Sequence, residues 1–315
     1  MTAHSTIHIT EEHVGTRLDQ FLVATLSPEV SRSRVQKAIQ AKQVLINDKP
    51  ATKHQFLRLG DVISMTQEIA APTKPDHVLI SPDYDLSVLF EDDAIIVVNK
   101  PTDLIVHPGN ENDDQPSVSG WFVKHMGSDV IDLAWESAFR PGIVHRLDKF
   151  VTGVMVLAKT PEVLENLKKQ FQERTVEKEY RAVVYGVLPQ EAGDIRFALH
   201  RSSMNPGKMA ARPEHAEGRD AWTEYAVLQN INDRYSVLKV QIHTGRTHQI
   251  RAHLAAIDHP VVGDRLYISK KYPVFQKSDA LFLHSERLAF AHPTTGESLS
   301  IIAPLPEHFA LFSAE

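Results

Sequence analysis

Beyond residue 86 the strand and helix signals do not alternate, and that irregular order restricts the fold more than any other feature of the chain. Apolar runs that suit strands lie at 94–98, 154–158, 180–187 and 222–228. Residues 235–242 alternate, with Ser236, Leu238, Val240 and Ile242 facing one way and Tyr235, Lys239 and Gln241 the other. Helix signals are fewer. Thr160-Pro161-Glu162 supplies a cap, a proline at the first helical position and an early acid, after which Val163, Leu164, Leu167 and Phe171 line a buried side. A second helix is expected over 247–257, burying Ile250, Leu254 and Ile257. The spacing is not a strict βαβ repeat, so the class expected is α+β rather than a doubly wound sheet.

A separate module precedes this domain. Leu18, Phe21, Leu22 and Leu26 recur at helical spacing over 17–26, and Ser31 can cap a helix over 32–42 with Val35 and Ile39 on its apolar side. Short strands are expected at 44–46 and 62–65, with turns at Asn47-Asp48 and Gly60-Asp61. Residues 16–65 hold eight cations and four carboxylates, a net +4 in a chain of net −6, so the remainder carries −10. A basic module on a more acidic body suits a polyanionic partner, with Arg32, Arg34, Lys37 and Lys42 as candidate phosphate contacts. Pro72, Pro75 and Pro82 mark 66–85 as a linker, leaving 86–312 for the large domain.

Several function classes are set aside. There is no cysteine, hence no disulfide framework and no thiolate metal site. The N-terminus does not look like a signal peptide, and no apolar run approaches the roughly 18 residues of a membrane span, so a cytoplasmic protein is expected. His243, His248 and His253 are five apart and do not share a helical face, and no HExxH occurs, so no metal centre is expected. A kinase would need HRD, a glycine-rich loop and DFG; the sequence has HRLD and no GxG.

Four segments can carry chemistry. The segment 140–153, which contains His145-Arg146-Leu147-Asp148, sets cations beside a carboxylate just before a strand. An arbitrary Arg–Asp pair is usually a surface salt bridge, but an ionised carboxylate can also serve as a nucleophile. In 244–251, Thr-Gly-Arg-Thr-His-Gln-Ile-Arg, a strand ends, glycine turns the chain and a helix begins; Arg251 can flank the buried face and reach into a cleft. Lys178-Glu179-Tyr180 opens a strand, and Asn99-Lys100-Pro101 with Val106-His107-Pro108-Gly109 forms a strand end and tight loop.

In this order, NKP…VHPG, GIVHRLDK…TG, KEYRAVVYG and TGRTHQIRAHL…HPVVGDRLY, the segments resemble the RluA/RluD family of pseudouridine synthases over about residues 86–310, and TRLDQFL…SRSRVQKAIQ…VLINDK is similar to an S4 RNA-binding domain. The resemblance implies a mixed, mostly antiparallel central sheet flanked by helices, with the cleft along its centre. It implies Asp148 as catalytic aspartate, Arg251 as its paired arginine and Tyr180 as the tyrosine that stacks on the uracil near the departing proton. It implies that Arg146 helps hold the flipped nucleotide, with His145, Arg246 and His107 also at the substrate. It implies no cofactor, a monomer, and structured RNA as partner, foremost large-subunit ribosomal RNA. The alternatives are transfer RNA, or a non-catalytic RNA-binding ribosome-assembly protein on the same fold. Two positions depart from the family pattern: Val151 stands where a hydroxyl is usual, and Asp103 where glycine is common.

Overall fold

The computed structural model describes residues 6–26, 30, 32–52, 54–66, 85–109, 115–132, 135, 140–212, 218–268, 270–272 and 274–312, without the side chains of 32–34, 37, 128 and 132. The chain divides into two compact units, Met1–Val78 with Trp135–Ala138, and Leu79–Ala134 with Phe139–Glu315. The cap expected at Ser31 and almost all of the expected linker fall outside the described residues.

The first unit holds β1 (Thr6–His8), α1 (Leu18–Thr25), α2 (Arg32–Gln40), β2 (Val44–Ile46), β3 (Lys49–Pro50) and β4 (Val62–Met65). Its sheet runs β1-β4-β2-β3, antiparallel throughout. Asn47 and Asp48 both take positive φ, 51° and 61°, as a tight hairpin between β2 and β3 requires. Leu18, Leu22, Val35, Ile39, Val44 and Ile63 bury the helices on the sheet. Beside them Asp19 is fully buried, held by two Arg17 N–H groups at 3.0 Å each and by the Gln36 amide at 2.9 Å. Strand β1 is an addition to the sequence reading.

The second unit holds β5 (Ser87–Glu91), β6 (Ile95–Lys100), α3 (Val118–Met126), β7 (Thr152–Ala158), α4 (Pro161–Glu173), β8 (Glu177–Tyr185), β9 (Ala192–Ile195), β10 (Ala198–Arg201), β11 (Met209–Arg212), β12 (Thr223–Ile231), β13 (Tyr235–Ile242), α5 (Gln249–Ala256), β14 (Leu283–Ala291) and β15 (Ser298–Ile302). The main sheet runs β5-β6-β7-β14-β8-β13-β12-β9, with β15 on the far end of β14, and β10 and β11 form a separate ribbon. Among the described strands only β7 and β14 pair in parallel. The fold is therefore the α+β, mostly antiparallel architecture expected.

Burial explains the strand sequences. The central strand β7 is buried at every position and reads as a continuous apolar run, whereas β13 keeps the alternation of a one-sided strand until Val237 is also covered. Gly153 has φ 117°, and a Cβ there would lie 2.1 Å from the Ser285 carbonyl oxygen, so glycine is what lets β7 approach β14. Helix α4 starts as expected, with the Thr160 hydroxyl accepting the Val163 N–H. Helix α5 starts at Gln249, two residues later than expected. The Gln249 amide oxygen accepts the Thr244 hydroxyl at 2.7 Å and the Arg246 N–H at 3.1 Å, and His248 takes φ 54°, so 244–248 close as a turn first.

Candidate active site

The loop 143–151 enters β7 and carries Asp148 at the head of the sheet. Three contacts fasten it. The Val151 N–H donates to the Asp148 carbonyl at 3.1 Å. The His145 Nε2 accepts the Val156 N–H at 3.1 Å, and its ring stacks on Phe171 with centroids 4.8 Å apart. The fully buried Lys100 donates all three ammonium protons to carbonyls, those of Pro101, Leu104 and Lys149, at 2.8, 2.9 and 2.9 Å. Burial pushes Lys100 down to about 7 against the opposing pull of Asp148 and Asp103. Burial first, then Lys178, pushes His145 down to about 3, so the ring is neutral with its proton on Nδ1. The sequence reading placed His145 at the substrate; although it lines the cleft, its acceptor nitrogen is engaged by β7.

Arg251, from the buried face of α5, lies between two carboxylates. One NH1 proton reaches Asp148 Oδ2 at 2.9 Å, while Nε and NH2 clamp Asp264 at 2.6 and 3.0 Å. Burial disfavours the guanidinium charge, but Asp264 and then Asp148 more than offset this and raise its pKa above the usual value. Asp264 also accepts the N–H groups of Leu266 and Tyr267 at 2.8 and 3.0 Å, which fixes it from its own loop. Tyr267 completes the frame. Its ring lies 5.1 Å from the Arg251 guanidinium, and its hydroxyl accepts the Met209 N–H at 2.7 Å and meets His248 Nδ1 at 3.1 Å. His248 Nε2 lies 3.8 Å from Asp148 Oδ2. Burial lowers the His248 pKa, with Asp148 opposing and Arg251 reinforcing. Asp148 Oδ1, by contrast, accepts no hydrogen bond among the described residues.

Tyr180 stands on the inner face of β8, buried and hydrogen-bonded to Ser285. Burial is the main cause that pushes its phenol up to about 12, with Asp148 adding to it and Ser285 opposing, so the hydroxyl keeps its proton at neutral pH.

Asp148, Arg251, His248, Tyr180 and His145 line a cleft of about 520 Å³, large enough for a nucleoside. Its lining includes five cations, Arg146, Arg174, Lys178, Arg246 and Arg251, and one carboxylate, Asp148. A protein of net charge −6 thus presents a positive cleft. Arg146 is exposed at its edge, and Arg246 spends Nε on the Asp220 carbonyl at 3.2 Å. His107 is not among the lining residues; its Nδ1 donates to the Pro108 carbonyl at 2.9 Å. Lys42 is exposed in the first unit at φ 59°, while the side chains of Arg32, Arg34 and Lys37 lie outside those described.

The two departures have local explanations. Asp103 takes φ 63°, the conformation that makes glycine common there, and its carboxylate pairs with Lys149 at 3.2 Å. Val151 is buried, and the hydroxyl beside it, on Thr152, pairs with His284 at 2.8 Å.

Residues 94–256 match the family model described as RNA pseudouridylate synthase. The chain belongs to that family. Its members are isomerases acting on RNA, residues 16–63 match the S4 domain, and these matches together with the relatives named below place the chain in the RluA/RluD branch. A relative in Chlorobaculum parvum, "Uncharacterized RNA pseudouridine synthase", is 37% identical over 97% of this chain and 95% of its own. "Ribosomal large subunit pseudouridine synthase D" of Haemophilus influenzae is 35% identical over 95% of this chain and 90% of its own. The solved structure of "Human RNA Pseudouridylate Synthase Domain Containing 1" superimposes with a TM-score of 0.58 at 25% identity, covering 74% of this chain and 89% of that one.

Sequence reasoning passed over Lys100, Asp264 and Tyr267 as site residues. Lys100 stood in the NKP segment, and Asp264 and Tyr267 in the GDRLY segment. No local pattern told that one would fasten the Asp148 loop and the others the guanidinium.

Proposed function

We propose that this RNA pseudouridine synthase isomerises uridine in large-subunit ribosomal RNA, with Asp148 as nucleophile. The observation that carries the reading is the asymmetry of the Asp148 carboxylate. Oδ2 is tied to Arg251 at 2.9 Å, while Oδ1 accepts no bond among the described residues of a cation-lined cleft. A carboxylate oriented through one oxygen presents the other for attack.

The reaction breaks the bond from C1′ to N1, forms one from C1′ to C5, and moves the C5 proton off the ring while N1 gains one. Oxidation state and composition do not change, so the chemistry requires no redox cofactor. Attack on C1′ and attack on C6 both begin at Oδ1. Tyr180 offers the uracil a buried phenol on the strand beside the carboxylate. Extruding the target costs a few kcal/mol, which Arg146 at the cleft edge and the aromatic surface offset. Residues 16–65 position the RNA through phosphate contacts, 66–85 link, and 86–312 catalyse. The name of the Haemophilus relative supports ribosomal RNA as substrate and, with it, a cytoplasmic site of action.

Mapping pseudouridine in ribosomal and transfer RNA from cells with and without the gene tests the reading. Loss of sites in large-subunit RNA is expected. Loss confined to transfer RNA overturns the substrate, and an unchanged map overturns the activity.

A further inference from the structure

Four charged side chains stand on β8, and three of them lie on one face, each with a partner of opposite sign. Glu177 meets Arg287 at 2.9 Å, Glu179 meets Lys239 at 2.7 Å, and Arg181 meets Glu286 at 2.8 Å. Lys178 differs. It shares the inner face with Tyr180, is 7% exposed, lines the cleft, and has no carboxylate partner among the described residues. Its ammonium lies 5.6 Å from the Phe171 ring centroid. A buried cation without a counter-charge is costly to keep.

The neighbours add charge rather than cancel it. Arg174 ends α4 in the left-handed conformation, φ 62°, and Arg146 follows His145 in the loop. Both line the cleft, and neither has a carboxylate partner among the described residues. Burial and then Arg174 lower the Lys178 pKa, a tension that a bound anion relieves. The stacked rings of His145 and Phe171 give this end of the cleft a fixed wall. Among the described residues the sole carboxylate in the lining is Asp148, whose Oδ2 is engaged by Arg251.

We infer that the Phe171 end of the cleft is a phosphate subsite, in which Lys178 and Arg174 bind the RNA phosphodiester adjoining the nucleotide held at Asp148. The inference rests on the functional reading above, since it is an RNA substrate that brings a phosphodiester beside the base. An ammonium set on a rigid strand fixes a phosphate position at little entropic cost, and such a contact sets register rather than base identity.

The test uses the full chain and the RNA found by mapping, with single uncharged methylphosphonate linkages placed one at a time around the target uridine. Wild type is expected to lose roughly tenfold in affinity at one linkage next to the target. Lys178→Met keeps the aliphatic stem against Phe171 and removes the charge. It should lose about the same on all-phosphate RNA, lose nothing more at that linkage, and flatten the salt dependence by about 0.7–0.9 log units per log unit of salt. Arg174→Asn, which tolerates positive φ, should repeat the pattern and carries the test if Lys178→Met does not fold. Unchanged affinity and salt slope in both variants overturn the subsite. So do losses that add to the methylphosphonate loss at every linkage, or a slower reaction at saturating RNA with affinity intact. Wild type that isomerises no RNA overturns the functional reading itself, an outcome distinct from these.

Discussion

Arg251 is held more tightly by Asp264 than by Asp148. Two of its N–H groups clamp the buried Asp264 at 2.6 and 3.0 Å, while one reaches Asp148 at 2.9 Å. The guanidinium is thus anchored from behind by Asp264 and orients the Asp148 carboxylate from the side. Asp264→Asn removes the anchor's charge and leaves a buried cation poorly paired. A loss of about 3–5 kcal/mol in stability is expected from denaturant unfolding, together with slower single-turnover isomerisation. Arg251→Met, which removes the cation, should slow the reaction further while costing less stability than Asp264→Asn if Asp264 is neutralised as well.

Asp148→Asn keeps the shape of the loop and removes the carboxylate proposed as nucleophile. Release of tritium from uridine labelled at C5 should fall to background, with RNA affinity within a few-fold of wild type. Release near the wild-type rate refutes the assignment of Asp148.

Tyr180→Phe keeps the ring on β8 and deletes a hydroxyl that burial holds protonated, with its value near 12. RNA binding should persist, and single-turnover isomerisation should slow because proton departure from C5 loses a neighbouring group. Full activity would show that the ring alone serves the uracil.

Stability should fall in mild acid. Burial is the main cause that depresses His145 to about 3 and His284 to about 4, from an ordinary 6.5. Below pH 6.5 the unfolded chain takes up protons on these two histidines that the folded chain refuses, and burial lowers His248, His253 and His308 in the same direction. Stability is complete above that pH and declines by roughly 1.4 kcal/mol per pH unit for each histidine as pH falls toward the folded values. Urea unfolding across this range measures the slope. His145→Gln, whose amide oxygen can replace Nε2 as acceptor for Val156, should make it shallower.

Replacing Arg32, Arg34, Lys37 and Lys42 together by glutamine should weaken binding to long structured RNA. Its salt dependence should fall by roughly 0.7–0.9 log units for every phosphate that is no longer neutralised. Titrations at several salt concentrations measure both, and an unchanged slope assigns the first unit another partner.

Much of this protein was legible locally. The Thr160 cap and Pro161 start α4, the alternation of 235–242 is β13, and the paired Asn47-Asp48 turn joins β2 to β3, because each depends on neighbours in sequence. Helix α3 left a weaker trace, since Val118 and Gly120 lower helix propensity in its first turn and the Ser117 cap to the Gly120 N–H supports it instead. Strand β1 is three residues long and exists through its pairing with β4.

The motifs likewise placed Asp148, Tyr180 and Arg251 among the residues to watch, and all three line one cleft. What tertiary structure alone decided is how their charges are shared. Asp264 reaches Arg251 from 13 residues away, Lys100 holds the carbonyl of Lys149 from 49 away, and Lys178 is left without a counter-charge among the described residues because the strand pleat turns it from the paired face of β8 into the cleft. Periodicity and capping act over a few residues and are written in the sequence. A buried charge takes its partners from whatever the packed sheet brings within about 3–4 Å, and folding alone sets that distance.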